Sequence, residues 1–290
     1  MTGPAALRWG YNTNGFANHR LDDALTVVSE LGYRSIALTL DNHHLDPFAP
    51  DAARQVREVG RRVEELGLAV VVETGARYLL DIRHKHWPSL VSPDNEPRVR
   101  LLKRAVDIAA DLGAEAVSFW SGTDRTGEPA AAWRQLTAGV AQLLPYAEAR
   151  GVRLGFEPEP GMLVHDLAGY ARLRAELGEP EVLGLTLDIG HCECVEPMSV
   201  PDCVRWAAPY LVNVQIDDMV RDVHEHLEFG AGTIDFPPVL AALAACGYRG
   251  IVAVELPRHS HAAPETARRS LEFLRAAARE GGQVPAGSHG

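Results

Sequence analysis

One pattern of apolar and polar positions repeats along the chain. An amphipathic segment closes on a glycine and gives way, within a few residues, to a short run rich in Val, Ile and Leu. The amphipathic segments are LDDALTVVSELG ending at Gly32, DAARQVREVGRRVEELG at Gly67, PRVRLLKRAVDIAADLG at Gly113, PAAAWRQLTAGVAQLLPYAEARG at Gly151, DLAGYARLRAELG at Gly178 and DFPPVLAALAACG at Gly247. A glycine just past the last turn takes the left-handed conformation that ends a helix without steric cost. The apolar runs that follow are RSIALTL, AVVVET, AEAVSFW, VRLGFE, VLGLTLD and IVAVEL; LRWGYN near the start and LVNVQID after Tyr210 bring the total to eight. Near-continuous apolar runs of this length fit parallel strands buried on both faces.

Eight strands alternating with seven or eight helices through right-handed crossovers predict an α/β fold, the closed (β/α)8 TIM barrel. An open doubly wound sheet usually carries a glycine-rich turn after its first strand, whereas here that strand runs into NTNGFANHR. No composition shift divides the chain. One barrel domain is expected over residues 1–280, with GGQVPAGSHG supplying a small, polar, disordered tail over 281–290. The longest irregular stretch, RYLLDIRHKHWPSLVSPDNE after the third strand, is either a lid over a site or a surface insertion.

Composition narrows the class. The 290 residues are 46% hydrophobic and 23% charged, as in a soluble protein with a large core, and carry a formal charge of -11. That balance disfavours binding to a nucleic-acid backbone, which needs positive charge to displace counterions. The start, MTGPAALRWGYN, has no basic and apolar leader, and no apolar run reaches spanning length; no membrane and a cytoplasmic location are expected. The four cysteines do not form paired CxxC motifs, so neither a zinc ribbon nor a disulfide framework is expected.

In a barrel the carboxyl ends of all strands open onto one face, where sites are built. Read at that position, strand 5 delivers Glu157 in FEPEPG, strand 6 Asp188 in LDIGH, strand 7 Gln215 in VNVQIDD and strand 8 Glu255 in VAVEL. A carboxylate at the end of a buried strand is costly unless it is paired or holds a cation, and converging acids raise one another's pKa. One divalent metal resolves both problems. Oxygen ligation favours Mn2+ or Mg2+, while His191, close after Asp188, leaves room for Co2+ or Zn2+.

The motifs FEPEPG, LDIGH, VQIDD, HEHLEFGAGTIDF and VAVEL together resemble the sugar phosphate isomerase/epimerase family of xylose isomerase-like TIM barrels, over nearly the whole chain. The resemblance implies a metal held as in the ketose 3-epimerases, by Glu157, Asp188, Gln215 and Glu255, with Gln215 departing from the commoner His. His191, His224 and His226 resemble residues that face the substrate. A small sugar-like ketone, free, phosphorylated or cyclitol-type, is implied, and a homodimer is possible. The implied chemistry is a metal-stabilised enediolate, with Glu157 and Glu255 removing and returning a proton on opposite faces. The same apparatus can isomerise, epimerise, or eliminate water as an inosose-type dehydratase does. A phosphodiesterase like endonuclease IV is a further alternative. His191, His224 and His226 resemble one of its zinc sites, but VVVETG and SFWSG end strands 3 and 4 where that branch carries histidines.

Other residues have two readings each. Trp9 and Trp120 are core aromatics or apolar walls for a sugar ring. Arg77, after strand 3, binds an anionic substrate group or forms a surface ion pair. His43 and His44, in LDNHHLDP after strand 2, are further candidate substrate contacts. A strand or turn at HCEC places Cys192 and Cys194 on one side, although the acids already account for a metal; Cys203 and Cys246 are expected to pack within helices.

Overall fold

A computed structural model of the chain describes residues 7–282. Most of the proposed C-terminal tail therefore lies outside the described residues. Eight parallel strands close a barrel: β1 (Arg8–Asn12), β2 (Ser35–Thr39), β3 (Ala69–Glu73), β4 (Ala116–Phe119), β5 (Arg153–Phe156), β6 (Leu183–Asp188), β7 (Leu211–Ile216) and β10 (Ile251–Val254), with β10 hydrogen-bonded to both β7 and β1. Two further strands, β8 (Asp218–Val220) and β9 (Val223–Leu227), make an antiparallel hairpin beyond β7.

The crossovers hold α1 (Leu21–Leu31), α2 (Ala52–Glu65), α3 (Glu96–Leu112), α4 (Pro129–Arg150), α5 (Leu167–Glu176), α6 (Ile189–Val195), α7 (Val200–Ala207) and α8 (Phe236–Ala245), and α9 (Ala263–Glu280) follows the last strand. All six glycines predicted to end helices have φ between +63° and +97°. The described helices exceed the predicted number because the segment between β6 and β7 holds two short ones. Asp188 caps the first, accepting a 2.9 Å hydrogen bond from the His191 amide, and Ser199 caps the second.

That local geometry corrects one expectation. HCEC is helical rather than a strand or turn, so Cys192 and Cys194 do not share a face; the Cys192 thiol is instead raised by its neighbour Cys203 on α7 and by burial. Cys203 is packed as expected, whereas Cys246, at the end of α8, is exposed.

The helices bury one continuous apolar layer against the outside of the barrel, and a smaller cluster of Ala37, Val71, Ala116, Val212, Ile251 and Ala253 fills its interior. Small side chains suit this crowded position. Above that plug the inward positions turn polar, with Ser118, Thr186, Asn213 and Glu73 all buried. The site stands on this polar layer.

Candidate active site

The strand ladder itself aims the predicted acids. Glu157 and Glu255 fall one residue past β5 and β10, yet their backbone amides still donate to neighbouring strands, to Phe119 O at 2.8 Å and Ile216 O at 3.2 Å. Asp188 and Gln215 are direct partners in the β6–β7 register. The four side chains therefore emerge from four consecutive strands at one level, as the sequence pattern required.

Glu157 and Glu255 line a cavity of about 370 Å³, whereas Asp188 and Gln215 are buried and do not reach its wall. That volume lies at the small end of the range, roughly 300–1,000 Å³, in which small-molecule sites fall. Ligand atoms of Glu157, Asp188 and His191 lie within 4.8 Å of one another; the same holds for Asp188, His226 and Glu255, and for His191, His224 and His226. Asp188 Oδ2 and Gln215 Oε1 are buried with no hydrogen-bond partner among the described residues. Buried oxygens of this kind cost free energy unless something satisfies them, and a hard cation does so. The donor set fits a divalent metal.

Electrostatics agree. Burial raises the Glu157 carboxyl well above its ordinary range, and the nearby charges of Glu73 and Glu255 push it further. Burial likewise raises Glu255, with Asp188 adding to the shift while His226 and the 2.7 Å hydrogen bond from Asn14 Nδ2 oppose it. These acids repel one another as anions, which is the condition a cation relieves.

The hairpin β8–β9 swings the HEH segment over α6. His224 Nε2 approaches His191 Nε2 at 3.1 Å, and His191 Nδ1 hydrogen-bonds Pro158 O at 3.1 Å. Burial lowers the His191 pKa to about 4 and also lowers that of His224. His226 behaves oppositely. Burial disfavours its charge, but Asp217, hydrogen-bonded to Nδ1, and the acids behind it hold the imidazole up at about 10. With Nδ1 committed to Asp217, Nε2 is left for the cavity.

Trp120 and Arg77 both line the cavity. Trp120 packs between the His86 ring, 5.1 Å away, and the Arg98 guanidinium, 4.6 Å from its centroid. Arg77 stands 3.4 Å from the buried Asp41 carboxylate. His44 lies elsewhere, bonded to His19 O beside α1 and α2, and Trp9 packs against the core; neither these nor His43 line this cavity.

Several lining residues escaped the sequence reading. Lys85 and His86 come from the long segment after β3, which reaches the site rather than decorating the surface. Glu159, two residues past Glu157, is raised to about 8 by burial and by Glu255. Its signal, the second acid of FEPEPG, was visible. Glu73 ends β3 as the other acids end their strands. It accepts hydrogen bonds from Asn213 Nδ2 at 3.1 Å and Gln215 Nε2 at 2.7 Å. Asn14 offered no signal, because a 3-10 turn after β1 brings it to Glu255.

A barrel of this closure, with acids at successive strand ends and a histidine hairpin over them, defines a class. Residues 25–277 match the xylose isomerase-like TIM barrel family, and the chain belongs to it. Among curated relatives, a ketose 3-epimerase of Arthrobacter globiformis is 29% identical over 232 residues, 77% of this chain and 74% of that protein. An L-ribulose 3-epimerase of Mesorhizobium japonicum is 27% identical over 243 residues, 80% of this chain and 74% of the relative. Among solved structures, a D-allulose 3-epimerase from Methylomonas sp. superposes with a TM-score of 0.75 at 19% identity, covering 96% of this chain and all 100% of the other, and shows the shared fold.

Proposed function

We propose that this chain is a divalent-metal-dependent epimerase that moves a proton at the carbon beside the carbonyl of a sugar. One observation carries the reading: Asp188 has ligand atoms of Glu157 on one side and of Glu255 on the other within 4.8 Å and pairs in register with Gln215, while Asp188 Oδ2 and Gln215 Oε1 are buried without a hydrogen-bond partner among the described residues. Relatives named as ketose and ribulose 3-epimerases support the substrate class.

Glu157, Asp188, Gln215 and Glu255 would hold the ion, and four oxygen donors favour Mn2+ or Mg2+. When bound, the ion supplies Lewis acidity at a carbonyl oxygen and its neighbouring hydroxyl. Glu157 and Glu255 arise from strands separated by β6 and β7, so they reach a substrate between them from different sides. One takes the proton from carbon and the other returns it, inverting the centre. Burial strengthens both as bases. His226, charged by its pairing with Asp217, donates from Nε2 to a substrate oxygen, and Trp120 gives the carbon skeleton an apolar wall.

The test is incubation of the Mn2+-loaded protein with a panel of ketoses in deuterated water. Deuterium at the inverted carbon, without loss of water, is expected. A new conjugated absorbance would instead assign an elimination to the same residues, and full activity in the Glu157→Gln/Glu255→Gln double variant would exclude both.

A further inference from the structure

An amide is an ambiguous ligand, because its oxygen and its nitrogen occupy nearly equivalent positions and only the oxygen can hold a cation. Gln215 is wholly buried on β7, and its orientation is therefore a matter of what surrounds it. On the opposite side of the barrel, four strands away in the closed order, β3 ends at Glu73. Gln215 Nε2 donates to Glu73 Oε1 at 2.7 Å, across the barrel interior. Asn213 Nδ2 donates to the same oxygen at 3.1 Å, two residues earlier on β7 and so on the same face of the strand. With two donors on it, Glu73 Oε1 is an acceptor. Because Asn213 also donates to Oε1, a proton on the Glu73 carboxyl belongs on Oε2, and a flipped Gln215 would set oxygen against oxygen. The unflipped amide leaves Oε1 free of protein partners among the described residues, beside Asp188 in the strand register.

We infer that Glu73 is a positioning residue for the metal centre: it holds the Gln215 amide in the one orientation that presents oxygen to the cation. The inference rests on the proposed metal-dependent function and adds to it a residue outside the ligand set. Glu73 acts through Gln215, and the consequence is a specific pattern of coupling between the two.

The experiment titrates Mn2+ into chelator-treated protein, followed by the electron paramagnetic resonance signal of free and bound Mn2+, with circular dichroism of each metal-free variant as the control for folding. In Glu73→Gln the new amide offers Gln215 a donor as readily as an acceptor. Affinity should fall about tenfold, as when an outer partner of a metal ligand is lost. Gln215→Ala should weaken binding on its own, and adding Glu73→Gln to it should cost nothing more. That non-additivity in Mn2+ affinity, with the circular dichroism unchanged, is an effect that a merely structural role for Glu73 does not produce. Equal losses from Glu73→Gln with and without the Gln215 side chain would overturn the inference. If Gln215→Ala binds Mn2+ normally while Asp188→Asn does not, Glu73 loses its role and the metal centre stands. If the natural protein binds no Mn2+, both readings fall.

Discussion

Asp217 is wholly buried, and its charge is answered by His226 alone among the neighbours that lower its raised pKa. Each partner makes the other's ionised form tolerable. In the metal-free protein the His226 imidazole should titrate near 10, and Asp217→Asn should lower that value by several units, since burial then acts unopposed by its nearest anion. Histidine NMR across a pH series reads this directly; an unchanged midpoint would show that Asp217 does not hold the charge. The two acids assigned to proton transfer give a separate expectation. Glu157→Gln and Glu255→Gln should each reduce kcat by roughly 10²–10⁴-fold while the circular dichroism spectrum is retained. Steady-state kinetics and solvent deuterium uptake should fall together.

At the scale of elements, the site depends on a few tight junctions. The glycine of DIGH is one: any Cβ at Gly190 would run into Asp217 Oδ1 and the Met219 side chain. Helix α6 can start against the hairpin only because that position is bare. Gly190→Ala should therefore displace the Asp217–His226 pair, raising KM about tenfold or more with a smaller effect on global stability, which kinetics beside thermal melting will separate. Asp218 is a second junction, accepting from the amides of Gly230, Gly232 and Ile234 at 2.8, 2.9 and 3.2 Å and so setting the turn of GAG after the hairpin. Arg98 is a third. Buried on α3 and pulled down by burial to about 9, it donates to the carbonyls of Pro88, Thr74 and His86 and backs Trp120. Arg98→Met should free the segment after β3 and cost about 3 kcal/mol, because three buried carbonyls lose their donor. Faster proteolysis within residues 77–96 and a lower Tm are the measurements.

At the scale of the whole molecule, the acid cluster links metal, pH and stability. Glu159 has an ordinary value of 4.5 and is raised to about 8, while Glu73 and Glu157 are raised in the same direction, each chiefly by burial. Between those values the folded chain holds protons that the unfolded chain has released. The contribution of these acids to metal-free stability then falls as pH rises from about 4.5 through 8, the reverse of what a salt-bridged carboxylate does. Mn2+ binds the ionised acids, so its stabilising effect should grow over the same interval. Melting curves with and without Mn2+ at pH 5 and pH 8 test this: the increment in Tm should be larger at pH 8. Among the described residues no helix is long and apolar enough to cross a membrane.

The alternation of amphipathic segments and apolar runs was enough to determine the barrel, because burial on both faces of a parallel strand leaves a local trace in every strand. The same logic made the strand-end positions of Glu157, Asp188, Gln215 and Glu255 legible, since the carboxyl ends of all such runs open onto one face. Glu73 obeys the same rule at the end of β3. Contacts made across the barrel or through loops left no comparable trace. The bond from Glu73 to Gln215 joins residues 142 positions apart, and that from Asn14 to Glu255 spans 241. The hairpin that lifts His226 onto Asp217, and the helix that turns Cys192 toward Cys203, are likewise set by packing between elements. Periodicity reports which face of an element is buried; which polar groups then meet inside depends on closure of the sheet, and only the folded chain decides that.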